Sequence, residues 1–167
     1  MTQEEFAALL RRMMTAAQAA DADAFAACFA PDGVYHDYIY GDHAGHAEIA
    51  RMLRELFHRD ARGYRWEMFD PVCSGEIGYA WSLSSFTSTV PEFLGRKVLI
   101  DGTSRFVLRD NLIAEYRESV NGCVAMSQLG VTPERMAKVA RRWLAWLQNA
   151  PESAEFLSRA KGTRRVP

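Results

Sequence analysis

The chain has few cysteines, no long apolar run and no excess of basic charge. Its three cysteines, Cys28, Cys73 and Cys123, follow neither a disulfide framework nor the spacing of a metal site or redox pair. We therefore expect free thiols in a reducing, cytoplasmic setting. No apolar run is long enough for a transmembrane helix, and the amino terminus has early acids in place of a basic signal region, so we expect no membrane partner.

The charge balance also argues against nucleic acid as a partner. Formal net charge is -1 at pH 7 and the isoelectric point is near 6.4, whereas a phosphate-binding surface needs a net basic stripe. Only "SRAKGTRRVP" at the carboxyl end is locally basic, and we assign it no function. The composition, 49% hydrophobic and 25% charged, is that of one globular domain. We expect this domain to span residues 1–150, followed by a tail over 151–167.

Helical periodicity dominates the first third of the chain and returns near its end. Thr2 and Glu5 are spaced as a capping box, which predicts a helix over residues 3–19. Asp21 predicts the cap of a short second helix, and the apolar spacing from Ile49 to Phe57 predicts a third. Near the end, Thr132 and Pro133 predict the start of a last helix, whose apolar stripe includes Trp143 and Trp146.

The middle of the chain has the alternation of strands. "PDG" at 31–33 predicts a turn into the strand "VYHDYIY", and from about residue 63 turn-rich pieces separate three or four long antiparallel strands. Gly102 suggests a bulge. One face of the second long strand carries Ile77, Tyr79, Trp81 and Leu83. This order predicts an α+β fold, in which a curved antiparallel sheet packs against the N-terminal helices, encloses a cavity and is followed by an additional C-terminal helix.

The last strand carries a carboxylate where an apolar residue is expected. Alternation over residues 112–120 places Glu118 on one face with Leu112, Ala114, Tyr116 and Val120. Because an unpaired buried carboxylate is costly, Glu118 either lines a cavity as a functional group or forms a structural ion pair, for instance with Arg105.

Four fragments together resemble the nuclear transport factor two superfamily, and in particular its SnoaL-like polyketide cyclase branch. They are "FAPDGVYHDY", "AGHAEIARML", "DGTSRFVLRDNLIAEYRE" and "SQLGV", and the resemblance covers roughly residues 3 to 135. It implies a cone-shaped fold, a small hydrophobic ligand, no cofactor, no metal and a homodimer. The cyclases of this branch carry an acid–base aspartate ten positions before the glutamine of "QLG", which corresponds to Glu118 here.

The resemblance also identifies departures and further candidates. Where the better-known cyclases have a histidine, this chain has Ser104. The ketosteroid isomerases of the superfamily place their base at the position of Asp37, but their oxyanion-stabilising tyrosine corresponds to Met13. We therefore expect a site with Glu118, Asp37 and His36 as catalytic candidates, His36 being assigned an inward orientation from the strand alternation. The alternative for Asp37 is a loop-capping carboxylate.

The histidines and aromatics complete the candidate list. His36, Asp37, His43 and His46 match no metal motif, and we expect His43 and His46 in a solvated loop. Aromatic side chains on the inner face of a sheet suit a flat ligand, although most such residues are core residues. The substrate-binding candidates are Tyr35, Trp66, Tyr79, Trp81, Ser104 and Tyr116. Trp143 and Trp146 seal either the cavity or a dimer interface.

Three functions remain open from the sequence. The first is a cofactor-independent acid–base enzyme acting on a small hydrophobic or polycyclic carbonyl compound. The second is a binding domain that has kept the pocket without the chemistry, which the absence of a histidine at Ser104 favours. The third is a hydratase or dehydratase, for which the sequence shows no complete water-orienting set.

Overall fold

The computed structural model of the protein describes residues 1–162, and for 159–162 the backbone alone. The first half contains helix α1 (Gln3–Ala19), helix α2 (Ala22–Ala26), strands β1 (Phe29–Asp37) and β2 (Gly41–Ala44), and helix α3 (Gly45–Met52), which continues through a π-helical turn (Leu53–Phe57) into α4 (His58–Asp60). Strands β3 (Ala61–Ser74), β4 (Ile77–Ser88), β5 (Lys97–Arg109) and β6 (Leu112–Val120) follow. Helices α5 (Gly122–Gln128), α6 (Pro133–Asn149) and α7 (Ser153–Gly162) complete the described chain.

Six strands form one curved sheet in the order β2-β1-β6-β5-β4-β3. All neighbouring strands run antiparallel except β1 and β6, which are parallel. The predicted α+β fold is confirmed, with this one parallel pair added. Helix α1 packs on β3 and α3 packs on β1, so the core lies between the helices and the inner face of the sheet.

The predicted helix starts are confirmed by their hydrogen bonds. Thr2 and Glu5 form the capping box reciprocally, and the Asp21 carboxylate accepts the Ala24 N–H at 3.0 Å. The turn predicted at 31–33 is wrong, because β1 runs through this segment with a register shift against β6. A Cβ on Gly33 would lie 2.8 Å from the Ile113 carbonyl, so glycine here allows close strand approach.

The inner face of β4 carries small residues, and its large apolar side chains point outward. Gly78, Ala80 and Ser82 face the helices, because a Cβ on Gly78 would lie only 2.5 Å from the ring of Phe6 in α1. Tyr79 and Trp81 are accordingly 43% and 45% exposed on the outer face. The interpretation that the large side chains of β4 line the cavity was therefore wrong.

Gly102 does not form the predicted bulge, since it pairs in register with both Ser82 and Val120. A Cβ added at Gly102 would lie 2.6 Å from the Ser119 carbonyl oxygen, so glycine at this position allows β5 and β6 to pack closely. Val98, Ile100, Ser104, Phe106 and Leu108 share the inner face of β5.

Backbone contacts divide the chain into two compact units, residues 1–129 and residues from 130 onward. The second unit contains α6, capped by Thr132 with Pro133 in its first turn as predicted, and α7, which the sequence did not predict. The expected division at residue 150 stays a prediction. The basic segment begins within α7, and residues 163–167 lie outside the described residues. Within residues 1–162, no helix has the length and apolar character needed to span a membrane.

Candidate active site

A cavity of about 310 Å³ lies in the first unit, between the inner face of the sheet, the β1–β2 turn and α5. Its wall is mostly aromatic and aliphatic, including Tyr38, Tyr40, Phe57, Tyr64, Trp66 and Phe86. Three carboxylates, Asp37, Asp60 and Glu118, also line it. An apolar pocket with a few convergent polar groups is the usual form of a small-molecule site.

Glu118 faces this cavity from β6, as predicted, but the alternation along β6 is interrupted. The β5–β6 register shifts between Val107 and Leu108, which places the buried Ile113 on the inner face and leaves Leu112 and Ala114 only partly buried. A bulge of one residue changes which side chains point inward. The predicted inner face is therefore correct from Tyr116 to Val120 and wrong before it.

Glu118 is joined to a chain of buried hydroxyl groups. The Tyr116 hydroxyl donates to Oε2 of Glu118 at 2.9 Å, and Ser104 Oγ lies 3.1 Å from the same hydroxyl. The Tyr35 hydroxyl also hydrogen-bonds to Tyr116. Ser104 stands directly opposite Glu118 in the β5–β6 ladder. Three substrate-binding candidates thus form the polar support of the carboxylate.

Burial raises the pKa of Glu118 to about 8, and the nearby negative charge of Asp37 acts in the same direction. The hydrogen bond from Tyr116 opposes this shift because it stabilises the ionised form. The proposed ion pair with Arg105 is absent among the described residues, since Arg105 lies 3.4 Å from Glu115 on the outer face. The Glu118 carboxyl group is therefore largely protonated at neutral pH, unlike a glutamate in water.

Asp37 lies at the end of β1, where it caps a turn and also lines the cavity. Its Oδ1 accepts the backbone N–H groups of Ile39 and Tyr40 at 2.7 and 2.6 Å, which caps the β1–β2 turn. Burial raises its pKa, and these two hydrogen bonds pull it back down. The carboxylate also lines the cavity with Glu118, so the turn cap is at the same time a cavity group.

The cavity contains a second acidic position that the sequence did not reveal. The Tyr40 hydroxyl donates to Asp60 Oδ2 at 2.8 Å, and Arg59 forms two hydrogen bonds of 2.7 Å to the same carboxylate. Nothing in the local pattern links residues 40 and 60. Tyr64 was also missed, although its position two residues before Trp66 on β3 is a signal that it shares the inner face.

His36 points away from the cavity, so the inward orientation predicted for it was wrong. Its neighbours Tyr35 and Asp37 line the cavity, while His36 Nδ1 lies 2.6 Å from Asp42 and Nε2 lies 4.0 Å from Glu115. The strand alternates as expected but in the opposite phase: Tyr35 and Asp37 point inward, so His36 between them points outward.

The prediction of a solvated loop is wrong for His43, which is buried on β2. His46 is exposed as expected but lies in α3, where its Nε2 lies 2.9 Å from the Phe29 carbonyl oxygen. Of the residues that the structure describes, no three His, Cys, Asp or Glu side chains are grouped as a metal site would require.

The substrate-binding candidates divide between the two faces of the sheet. Trp66 is buried and lines the cavity with Tyr35, whereas Tyr79 and Trp81 lie on the outer face and do not reach it. Tyr116 and Ser104 contribute through hydrogen bonds to Glu118. The arrangement brings the carboxyl groups of Glu118 and Asp37, together with that of Asp60, into one apolar cavity.

The curved sheet, the helices on its inner face and the enclosed acidic cavity define a cone-shaped α+β domain of the ketosteroid isomerase-like fold. The chain belongs to the SnoaL-like family: the profile described as SnoaL-like domain matches residues 10–116, which is more than half of the chain.

Solved structures share this fold at low sequence identity. TsrD from Streptomyces laurentii is 16% identical, with a TM-score of 0.69, and the match covers 79% of this chain and 99% of that one. An LEH-like epoxide hydrolase from M. tuberculosis is 17% identical, with a TM-score of 0.62 and coverages of 76% and 90%. A protein with a ketosteroid isomerase-like fold from Catenulispora acidiphila, solved with trimethylamine, is 13% identical, with a TM-score of 0.66 and coverages of 74% and 93%. At these identities the likeness concerns the fold alone. No curated protein sequence matches this chain significantly.

Proposed function

We propose that the protein is a cofactor-independent acid–base enzyme that acts on a small hydrophobic or polycyclic carbonyl compound, in a reaction of the cyclase or isomerase type. The observation that carries the proposal is Glu118, a carboxyl group whose pKa is raised to about 8 inside an apolar cavity. Such a group both gives and takes a proton within one turnover, which the same side chain in water does poorly.

The surrounding residues have distinct parts in this proposal. Tyr116 holds Oε2 of Glu118 by its hydrogen bond, so that the other oxygen, Oε1, is the one that meets the substrate. Asp37 assists through Oδ2, since Oδ1 accepts the two N–H groups of the turn. Trp66 and Tyr64 provide the flat walls against which a polycyclic body stacks.

A non-catalytic binding domain is the second candidate, and two observations favour it. Ser104 stands where the related cyclases carry a histidine, and it hydrogen-bonds to Tyr116 instead of facing a substrate. In addition, one oxygen of Asp37 is fully engaged in capping the β1–β2 turn. Under this reading the cavity keeps its ligand and Glu118 transfers no proton.

Turnover measurements separate the two candidates. Hydrophobic ketones and polycyclic esters are screened against the purified protein, and the active compound is then tested with Glu118→Gln and Asp37→Asn. We expect Glu118→Gln to reduce turnover by roughly two to four orders of magnitude. Glu115→Gln, the same change on the outer face of the same strand, is the control. Unchanged turnover in Glu118→Gln would contradict the assignment.

We also propose a homodimer in the cytoplasm. Large apolar side chains are exposed on the outer face of the sheet, namely Val72, Tyr79, Trp81 and Leu99, and in the second unit Trp146 is 43% exposed. The three cysteines are free thiols, which suits a reducing compartment. Sedimentation of the wild type and of Trp81→Glu tests the dimer: a wild type that sediments as a monomer would exclude it.

A further inference from the structure

The charges that line the cavity are all of one sign. The lining includes eight aromatic residues and three carboxylates, and among the described residues that form it there is no lysine, arginine or histidine. One of the three carboxylates, Asp60, is already paired with Arg59 and accepts the Tyr40 hydroxyl. Asp37 and Glu118 have no such cationic partner among the ion pairs within residues 1–162.

Each of these two carboxylates keeps one oxygen without a protein donor. Oδ1 of Asp37 is saturated by the two turn N–H groups, and Oε2 of Glu118 is held by Tyr116. No hydrogen bond from the described part of the chain reaches Oδ2 of Asp37 or Oε1 of Glu118. Neither oxygen is among the fully buried unpaired atoms of the described residues, so both are open to the cavity and can accept a partner from what enters it.

We propose that the ligand of this cavity carries a protonated or quaternary amine on a flat apolar body, with the nitrogen against Asp37 and Glu118 and the body against the aromatic wall. This inference rests on the proposed function and names the substrate class for the same site. Aromatic faces attract cations in addition to packing against apolar groups, so the wall favours both parts of such a ligand. An anionic ligand would meet the Asp37 charge, a second negative charge once Glu118 ionises, and no cation among the described lining residues.

The cation also decides the protonation state of Glu118. In the free protein, the negative charge of Asp37 helps to keep the Glu118 proton bound. A ligand cation between the two groups neutralises this repulsion and favours the carboxylate, so binding releases the proton to solvent. The bound complex then has Glu118 as a base beside the substrate. The other titratable groups that face it, Tyr35, Tyr64 and Tyr116, remain neutral because burial raises their pKa values.

Three ligands of similar size that differ in charge test directly whether the cavity prefers a cation. Benzyltrimethylammonium carries a fixed positive charge at every pH, neopentylbenzene is its neutral counterpart with carbon in place of nitrogen, and 3-phenylpropanoate is an anion of similar size. Titrations of the full chain are followed by NMR. At pH 9 we expect the cation to bind at least about tenfold more tightly than the neutral compound, and the anion not to bind. Equal or tighter binding of the neutral compound would overturn the proposal.

The pH dependence and two variants locate the cation. The charge of the probe is fixed, so its affinity should increase as pH rises towards 8, where Glu118 ionises, and become constant above it. Glu118→Gln should abolish this dependence, and Asp37→Asn should weaken binding about tenfold at pH 9, where Glu118 is ionised with or without Asp37. Glu115→Gln, on the outer face, should change neither. A pH-independent affinity in the wild type would show that the cation does not face Glu118.

Failure of this inference and failure of the proposed function give different results. If the neutral compound binds best while Glu118→Gln still abolishes turnover, the amine assignment is wrong and the acid–base enzyme stands. If the cation binds as expected and turnover is unchanged in Glu118→Gln, the ligand class stands and the catalytic role is wrong.

Discussion

The Tyr116 hydroxyl lies 2.9 Å from Oε2 of Glu118, two residues along the same strand, and donates a hydrogen bond to it. The same hydroxyl is in contact with Ser104 and Tyr35, so the carboxyl group is fixed by a buried network. The pKa of Glu118 is thus set by opposing effects: burial and Asp37 raise it, and Tyr116 lowers it. This opposition makes the site testable without a known substrate.

Two variants should move the Glu118 pKa in opposite directions. Tyr116→Phe removes the hydrogen bond that stabilises the carboxylate, so the pKa should rise above about 8. Asp37→Asn removes a neighbouring negative charge, so the pKa should fall. NMR titration of the labelled glutamate side chain measures both. Shifts of the same sign in the two variants would contradict this account of the site.

The Glu118 carboxyl group should lower the free energy of unfolding at alkaline pH. Its folded-state pKa is raised from about 4.5 to about 8, so the native state holds more protons than the unfolded state within this window. The free energy of unfolding therefore falls as the pH rises from about 4.5 to about 8. Above about pH 8, ionisation of Glu118 lowers it no further. Relative to wild type, Glu118→Gln should gain roughly 1.4 kcal/mol per pH unit across the window. Urea unfolding at several pH values measures this, with Glu115→Gln as control; a pH-independent difference would refute the buried titration.

His43 should make the fold sensitive to acid. It is buried on β2, neither ring nitrogen has a hydrogen-bond partner among the described residues, and its pKa is lowered by burial and by Arg51. The unfolded state therefore binds more protons below about pH 6.5, and stability is lost as pH falls through this region. His43→Leu should unfold at higher urea than wild type at pH 5.5, with a smaller advantage at pH 7.5. A larger advantage at pH 7.5 would contradict the assignment.

The contact between Gly78 and Phe6 should not tolerate a methyl group. Because the added Cβ would lie 2.5 Å from Phe6 Cζ, Gly78→Ala should destabilise the protein by roughly 1–3 kcal/mol. Phe6→Leu removes the ring atoms that cause the overlap. The double variant should therefore lose less stability than the sum of the two single variants, and thermal unfolding of all four proteins tests this. Strict additivity would show that the ring and the glycine do not interact.

Local signals in the sequence were sufficient where the physical cause is local. The caps at Thr2, Asp21 and Thr132 were predicted because a side chain and the N–H that it accepts are separated by three residues. Alternation correctly directed Glu118 and Tyr116 inward because the strand is regular from Tyr116 to Val120.

The alternation pattern predicted the wrong inward side chains where another element of the fold determines which face of a strand is buried. On β4 the large side chains point outward because Phe6 of α1 occupies the space above Gly78, a contact between residues far apart in sequence. On β6 the bulge after Ile113 depends on pairing with β5, and the sequence of β6 alone does not reveal it.

The sequence by itself determined the α+β order of elements, the helix starts and an inward carboxylate at Glu118, because each follows from neighbours along one helix or strand. Only the tertiary structure decided that Asp37 shares the cavity with Glu118, that Tyr40 meets Asp60, and that the described residues of the lining include no cation. The physical reason is that the pKa of a carboxyl group, and the ligand it favours, depend on burial and on charges brought close by folding. The parallel pairing of β1 with β6 joins residues about eighty positions apart, and no local pattern encodes it.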